Sequence, residues 1–259
     1  MKRTFKILKI LGPIIGILAL ALGILLFVTF SGWLPIADGQ RLDGVEVVKD
    51  GFVSLSIIDI DDRSVALVDA GNDRQAKPII RALTRRGLGV DAVKAILLTH
   101  GDRDHTAGVL AFPRAEVMAL EPDVALAEGR VVRGIFRWFG SPKPNGIKVA
   151  RALHDGETVI LGNLPVRVFA VPGHTQGSAA FLARSVLFMG DSAEATKEGK
   201  LAPGRRLFTD NPAQNRASLR QLATRLLPAA SEVKAIACAH SGVLSNGLAP
   251  LTDFAAGDK

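Results

Sequence analysis

The chain of 259 residues contains no tyrosine and a single cysteine, Cys238. The absence of tyrosine removes phenol as a catalytic acid, nucleophile or oxyanion donor. A single cysteine excludes an intrachain disulfide framework and a cysteine-based zinc knuckle, so any metal must be held by imidazole and carboxylate groups. Cys238 ends an apolar run, and the sequence predicts that it is a small core residue rather than a nucleophile.

Acidic residues are absent before Asp38, whereas the N-terminal tip carries four basic residues: Lys2, Arg3, Lys6 and Lys9. Much of the formal net charge of +7 falls on this tip. From Asp38 onward, 28 basic residues stand against 25 acidic ones. This near balance argues against a nucleic-acid partner. The hydrophobic content of 48% is sufficient for one substantial core.

The segment from Leu11 to Phe30 has no charged side chain and is long enough to cross a bilayer as a helix. It exceeds the apolar region of an ordinary secretory signal, and Pro35-Ile36-Ala37 is a poor cleavage match, which favours an uncleaved signal anchor over a cleaved signal. The basic tip predicts a cytoplasmic N-terminus, with the rest of the chain on the periplasmic or extracellular side, and Trp33 suits the interface. Residues 1–37 are therefore predicted to form a cytoplasmic basic tip, a transmembrane signal anchor and a linker. Residues 38–259 are predicted to form one folded domain.

Short apolar runs between turn signals predict strands through most of this domain. The region from Val45 to Asp69 predicts a β-meander, Gln75 to Arg86 a helix, and Val93 to Leu98 a strand buried on both faces. In a second block the sequence predicts the strands Thr158 to Leu161, Val166 to Val171, Ala179 to Ala183, Val186 to Met189 and Val233 to Ala237. Before the last of these strands it predicts a helix that is capped by Asp210 and reaches about Leu227. Two blocks of strands and helix predict an α/β fold with four layers, an αββα sandwich.

The stretch from Glu128 to Lys148 interrupts this strand rhythm by mixing basic and aromatic side chains. Its members are Arg130, Arg133, Ile135, Phe136, Arg137, Trp138, Phe139, Lys143 and Lys148. Such a mixture suits a lid over a site or a patch that touches a membrane surface. A solvated helical insertion with its aromatics packed on the core explains it equally well.

Only five histidines occur in the chain, and four of them follow predicted strands directly. Together with nearby aspartates they offer nitrogen and oxygen donors but no sulfur, a set that suits zinc, with iron or manganese as alternatives. The candidate ligands are His100, Asp102, Asp104, His105, His174, Asp191 and His240. His154 lies in a predicted turn before a strand and is expected to be structural.

The segment His100-Gly101-Asp102-Arg103-Asp104-His105 resembles the HxHxDH signature of the metallo-β-lactamase superfamily. Pro172-Gly173-His174, Gly190-Asp191 and Ala239-His240 resemble the later metal motifs of that family in order and context. Leu67-Val68-Asp69 is similar to its early strand-end aspartate, which usually lies beside a ligand rather than being one. The resemblance runs from about Val45 to Gly242.

The resemblance implies that His100, residue 102 and His174 hold a first metal ion, that Asp104, His105 and His240 hold a second, and that Asp191 bridges the two. Position 102 departs from the family pattern, because aspartate stands where the family usually has histidine. Aspartate is a harder, anionic donor, so it lowers the net charge of the site and alters its preference among zinc, iron and manganese. We interpret the result, HxDxDH, as a variant site.

Two cations that share a water lower its pKa and position the resulting hydroxide, so that hydrolysis needs no protein nucleophile. Asp104 is the expected general acid and base. In the family that the chain resembles, the β-lactam-hydrolysing members usually lack the carboxylate at Asp191, and the lactone-cleaving members typically use a tyrosine. The resemblance therefore disfavours both activities, and the short chain disfavours the nucleic-acid-processing members. The predicted function is therefore that of a metal-dependent hydrolase, and its substrate is a small ester, lactone, thioester or related carbonyl compound.

Two alternatives stay open at this point. One is a mononuclear iron redox member of the same fold, and the other is a non-catalytic binding protein with a degenerate metal site.

Overall fold

The computed structural model describes residues 2–134 and 140–257, with side chains from residue 15 onward. The chain forms two compact units, one reaching to Trp33 and the other beginning at Leu34. Each unit is described by itself.

The first unit is one long helix, α1, Lys2–Phe30. Its last turn is closed by side chains: Thr29 Oγ1 donates to the Leu25 carbonyl at 2.7 Å, and Trp33 Nε1 donates to the Thr29 carbonyl at 2.8 Å. These bonds satisfy carbonyl groups near the C-terminal end of the helix, where the last turn has no intrahelical N–H donors left for them. Within the described residues, no helix combines the length and the apolar character that crossing a membrane requires. That finding does not support the predicted membrane span.

The second unit contains strands and helices in two successive blocks. In the first block they are β1 Arg41–Leu42, β2 Val45–Asp50, β3 Val53–Asp59, β4 Val65–Val68, α2 Lys77–Arg85, β5 Val93–Leu98, α3 Arg103–Thr106, β6 Glu116–Leu120, α4 Val124–Ala127 and β7 Arg151–Leu153. In the second they are β8 Thr158–Leu161, β9 Leu164–Ala170, β10 Ala179–Ala183, β11 Val186–Phe188, β12 Ala193–Ala195, β13 Leu201–Pro203, α5 Pro212–Leu226, β14 Ala235–Ala237, β15 Val243–Leu244 and α6 Ala249–Gly257.

The strands of the described residues form two large sheets and one small hairpin. The first sheet has the order β1-β2-β3-β4-β5-β6-β7, antiparallel as far as β4 and parallel from β4 to β7. The second has the order β15-β14-β11-β10-β9-β8, in which only β11 and β14 run parallel. The small hairpin pairs β12 with β13.

The two large sheets pack face to face because their strands bury side chains on alternate faces. In β3 and β5, Ile58 and Leu97 point into the core between the sheets, whereas their neighbours Ile57 and Ile96 point to the outer face. The second sheet meets them with the side chains Val166, Val168, Phe181 and Phe188. Each fully buried side chain of this size contributes about 1.5–3 kcal/mol of transfer free energy.

Helices cover both outer faces. Ile79 and Leu83 of α2 pack on the outer face of the first sheet, and Leu219 and Leu222 of α5 pack on that of the second. The arrangement is helix, sheet, sheet, helix, which confirms the predicted αββα sandwich.

The helix α5 begins differently from the prediction. Its N-cap is Asn211, whose side chain accepts a hydrogen bond from the Gln214 backbone N–H at 3.0 Å, so the predicted cap Asp210 was wrong by one residue. Both residue types are good caps, and the choice falls to Asn211 because Pro212 takes the first helical position, where a missing N–H costs nothing. Asp210 accepts instead from the Arg133 guanidinium at 3.1 Å.

Candidate metal centre

The candidate ligands meet at one edge of the sandwich, where four strands end. His100 follows β5, His174 follows β9, Asp191 follows β11 and His240 follows β14. The short helix α3, just after His100, carries Asp104 and His105. Residues distant in the sequence are thus brought together by the sheet order.

The described residues place six of the candidates in two groups of three. His100, His174 and Asp191 form the first group, and Asp104, His105 and His240 form the second. Within each group the nitrogen and oxygen donor atoms lie within 4.8 Å of one another. Asp102 belongs to neither group.

The carboxylate of Asp191 lies between the two groups. Its Oδ1 is 3.1 Å from His105 Nε2, and its Oδ2 is 3.1 Å from His240 Nε2 and 3.5 Å from His174 Nε2. Two donors on one tetrahedral zinc ion are about 3.3 Å apart, given bonds of about 2.0–2.1 Å. These spacings suit a carboxylate shared by two ions.

Asp69 and Thr99 set the orientation of two of the imidazole rings. Asp69 Oδ2 lies 2.8 Å from His105 Nδ1 and also accepts from Thr99 Oγ1 at 2.8 Å. Thr99 Oγ1, having donated its proton, accepts from His100 Nδ1 at 3.1 Å. The partners assign the Nδ1–H tautomer to both rings, which leaves each Nε2 lone pair directed to the site.

His240 is oriented by a backbone group. Its Nδ1 donates to the Phe52 carbonyl at 3.1 Å, and the Phe52 ring stacks on the imidazole at 5.7 Å between centroids. Arg205 donates to the His240 carbonyl at 2.9 Å and pairs with the buried Glu194 at 2.7 Å. The Nε2 of His240 therefore faces the Asp104 and Asp191 carboxylates.

The donor set fits divalent metal ions. Among the described residues, His100 Nε2, His105 Nε2 and Asp191 Oδ1 are buried and have no hydrogen-bond partner. Leaving such atoms unsatisfied is expensive, and converging ones are a sign of a ligand that they share. Nitrogen and oxygen donors without sulfur suit zinc, iron or manganese. Cys238 supplies no thiolate, because it is buried and burial raises its pKa.

The charges of the protein match this interpretation. Burial alone would raise the pKa of Asp191, but the facing His240 and His105 hold it well below its usual range. Burial alone would lower the pKa of His240, but Asp191 raises it to about 10. Asp104 also has a lowered pKa, because its hydrogen bond with His240 outweighs its burial. The carboxylates are thus ionised at neutral pH, and a metal must displace a proton from His240 to bind there.

Asp102 lies 3.4 Å from both His100 Nε2 and His174 Nε2, and it is also paired with Arg133. Arg133 Nε donates to Asp102 Oδ1 at 2.7 Å and Nη2 donates to Asp102 Oδ2, which makes the contact bidentate. Burial would raise the pKa of Asp102, but the neighbouring His100, His174 and Arg133 hold it well below the usual range. Arg133 Nη2 also lies 2.7 Å from His174 Nε2. Of the four rings at the site, only His174 has a buried Nδ1 without a partner among the described residues.

Asp123 ties together the two loops that carry His100 and His174. It is buried, and its two carboxylate oxygens accept from the backbone N–H groups of Gly101 and Gly177, each at 2.8 Å. A Cβ at Gly177 would meet the Asp123 backbone nitrogen at 2.5 Å, so only glycine allows this approach. Sequence reasoning missed Asp123, because a lone aspartate after a strand carries no distinguishing pattern.

The remaining sequence candidates lie apart from the centre. His154 is exposed in the loop after β7 and joins neither group, as expected of a structural residue. In the basic and aromatic stretch, residues 135–139 lie outside the described residues. The three interpretations of that stretch, a lid, a membrane-surface patch and a solvated helical insertion, therefore stay predictions. Its one described connection with the centre is Arg133, which the sequence did not separate from its basic neighbours.

Comparison with known proteins agrees with this geometry. The chain is similar to a hydroxyacylglutathione hydrolase of Cupriavidus metallidurans, 35% identical over 196 residues that make up 72% of this chain and 62% of the relative. It is similar to the enzyme of that name from Aeromonas hydrophila, 33% identical over 70% of this chain and 58% of the relative. For the one from Serratia proteamaculans, the values are 32% identity, 80% of this chain and 68% of the relative. The chain thus spans about three fifths of the length of the first two relatives.

Solved structures show the same fold. A metallo-beta-lactamase family protein from Thermus thermophilus superposes with a TM-score of 0.59 at 25% identity, over 83% of this chain and 79% of that one. A B3 metallo-beta-lactamase described as the first with an active site glutamic acid gives a TM-score of 0.64 at 20% identity, over 87% of this chain and 88% of that one.

The model of one protein family covers most of the folded unit. It is described as the metallo-beta-lactamase superfamily, and it matches residues 48–233, a range that contains every candidate ligand except His240. The chain belongs to the metallo-beta-lactamase superfamily.

Proposed function

We propose that the chain is a metal-dependent hydrolase that cleaves thioesters or closely related small carbonyl esters. The position of Asp191 carries the proposal, because one carboxylate faces imidazole nitrogens of both ligand groups at 3.1 to 3.5 Å. A shared carboxylate of this kind suits two divalent ions, and the donor set favours zinc, with iron and manganese as alternatives. When bound, such ions lower the pKa of a water molecule and polarise the carbonyl oxygen of a substrate.

Asp104 is the side chain that we assign to proton transfer. It is more exposed than the imidazoles of its group, with 25% of its side chain accessible, and its carboxylate lies 3.3 Å from His240 Nε2. Its lowered pKa keeps it ionised at neutral pH, so it can accept a proton from the attacking water. As the new carbon–oxygen bond forms and the carbon–sulfur bond breaks, the same carboxylate returns the proton to the leaving sulfur.

The choice of thioesters rests on the relatives. Proteins named hydroxyacylglutathione hydrolases match this chain at 32 to 35% identity. Every candidate ligand except His240 lies within residues 48–233, which the family model matches, whereas this chain spans only about three fifths of the first two relatives. We therefore assign the class of bond, the thioester, and treat glutathione as the thiol to try first.

The test is release of free thiol from a hydroxyacyl thioester of glutathione, followed with a thiol-reactive dye. We expect turnover by the full chain, and a loss of at least about a hundredfold in kcat for His105→Ala, which removes a ligand of the second group. His154→Ala is the matched control, because His154 is an exposed histidine outside both groups. Equal turnover by the wild type and His105→Ala would overturn the proposal.

We also propose, from the sequence pattern, that the segment from Leu11 to Phe30 anchors the chain in a membrane, with the catalytic domain on the periplasmic or extracellular side. The proposal is supported by the uncharged run from Leu11 to Phe30 and by the basic tip before it. The described apolar side chains of α1, from Ile15 to Phe30, are mostly exposed.

Carbonate washing of membranes from cells that produce the full chain tests this anchor. We expect the chain to stay in the pellet and Leu20→Arg to weaken its retention, since a charge at the centre of a span costs about 2.5–3.5 kcal/mol. Protease added to intact spheroplasts should cleave the catalytic domain. Release of the wild type by carbonate would contradict membrane anchoring.

A further inference from the structure

Arg133 reaches from the loop after α4 into the first ligand group. Its side chain is only 14% exposed. Besides the bidentate contact with Asp102, its Nη1 donates to the carbonyls of His174 and Phe208, both at 3.0 Å, and to Asp210 at 3.1 Å. The guanidinium is therefore held by several fixed acceptors, and its position is not that of a freely moving surface arginine.

The contact between Arg133 and His174 has a specific chemical consequence. A guanidinium has only donors, so at 2.7 Å from Arg133 Nη2 the Nε2 of His174 must be the acceptor. Nε2 is also the His174 nitrogen that faces the Asp102 and Asp191 carboxylates, at 3.4 Å and 3.5 Å. An imidazole nitrogen has one lone pair, which cannot serve an arginine N–H and a metal ion together.

Asp102 is subject to the same conflict. Arg133 contacts both of its carboxylate oxygens, and one of them lies 3.4 Å from His100 Nε2. A carboxylate in a bidentate pair with arginine has its charge largely compensated, which weakens it as a donor to a cation. Arg133 also brings a fixed positive charge next to a place where a divalent cation would bind, and the two charges repel.

The second ligand group has a different basic neighbour. Arg205 donates to the carbonyl of His240 at 2.9 Å rather than to its ring, and it is paired with Glu194. Its contact with His240 thus leaves the imidazole Nε2 of that residue to face Asp104 and Asp191.

We infer that Arg133 is a built-in competitor of the metal at the first ligand group, and that it makes this group bind a divalent ion more weakly than the second group. The inference rests on the proposed metal-dependent function and deepens it. The second group fills first, and filling of the first group requires the guanidinium to withdraw from His174 Nε2. The aspartate at position 102, where the family usually has histidine, supplies the partner that holds the arginine in this place.

Stepwise zinc affinities of the purified full chain test the inference, measured by competition with a chromophoric chelator. We expect two unequal affinities in the wild type, the weaker of which disappears in His100→Ala. In Arg133→Met the weaker affinity should rise by about 10- to 100-fold, the range over which side chains next to ligands change metal affinity. The stronger affinity should stay unchanged.

Two further variants make the result specific. Arg133→Lys keeps the charge but loses the bidentate fork, and its weaker affinity should lie between those of the wild type and Arg133→Met. Arg130→Met is the matched control, because Arg130 is an exposed arginine three positions earlier that pairs with Glu128, and its affinities should equal those of the wild type. Far-ultraviolet circular dichroism checks that each variant is folded. If Arg133→Met misfolds, Arg133→Lys still provides the test.

The sign of the change decides the matter. If Arg133 instead supports the first group by orienting Asp102 as a ligand, both Arg133 variants will bind the weaker zinc ion less tightly, and the inference is overturned. Unchanged affinities in well-folded variants overturn it as well. Absence of zinc binding in the wild type and in every variant would refute the proposed metal-dependent function itself.

Discussion

The Nδ1 of His105 lies 2.8 Å from a carboxylate oxygen of Asp69, and both residues are almost fully buried. The contact holds the ring with its Nε2 towards Asp191. Asp69 is itself held by the backbone N–H and the hydroxyl of Thr99. A chain of fixed hydrogen bonds thus holds His105 in place behind its ligand atom.

Asp69→Asn should disturb His105 without removing any ligand. The amide can present N–H to Nδ1, which favours the tautomer with the proton on Nε2 and blocks that nitrogen as a ligand. We expect the affinity of the second group for zinc to fall by about 10- to 100-fold. Chelator competition measures it, with Asp62→Asn, an exposed aspartate, as control. An unchanged affinity would show that Asp69 does not orient His105.

Asp123→Asn should loosen the two loops that Asp123 joins. An amide has one carbonyl oxygen, so one of the backbone N–H groups of Gly101 and Gly177 loses its acceptor while buried. We expect the free energy of unfolding to fall by about 1–3 kcal/mol, as measured by denaturant titration.

Asp38→Asn provides the comparison for Asp123→Asn, because Asp38 accepts one backbone N–H, from Lys49, at an exposed position. Its substitution should change the free energy of unfolding by less than about 0.5 kcal/mol. Equal losses in the two variants would contradict the bridging role of Asp123.

Much of the fold could be predicted because apolar periodicity is a local signal. The strand Val93–Leu98 has the predicted bounds, and the helix predicted from Gln75 to Arg86 is present as Lys77–Arg85. The short strands Arg151–Leu153 and Val243–Leu244 were missed, since they are defined by their partners in the sheet rather than by a pattern of their own.

Only part of the metal centre could be predicted from the sequence. The sequence identified His100, His105, His174 and His240, because a cluster of histidines after strands is a visible pattern. It named Arg133 only as one of several basic residues between Glu128 and Lys148 and did not predict its contact with Asp102, which is 31 positions away in the sequence. Only the packing of the loop after α4 against the ligand loops selects that one arginine.

The pH dependence of the metal-free protein follows from His240. Its pKa is raised to about 10 because Asp191 and Asp104 outweigh its burial, so the folded chain binds this proton more tightly than the unfolded one. The contribution to stability is therefore complete below about pH 6.5 and is lost as the pH rises through about 10.

We accordingly expect the Tm in chelator to fall over this pH range, and to fall less in His240→Gln, as followed by circular dichroism. Saturating zinc should also reduce the fall, since the ligands are then neutral imidazoles. The same slope in the wild type and His240→Gln would refute the assignment.

Removal and return of metal test the central claim most directly. The full chain is dialysed against a chelator, assayed for release of thiol from a hydroxyacyl thioester of glutathione, and assayed again after zinc, iron(II) or manganese(II) is added. The account predicts that turnover falls to background without metal and returns with at least one of the three ions. Full turnover by chain that elemental analysis shows to be free of metal would contradict it.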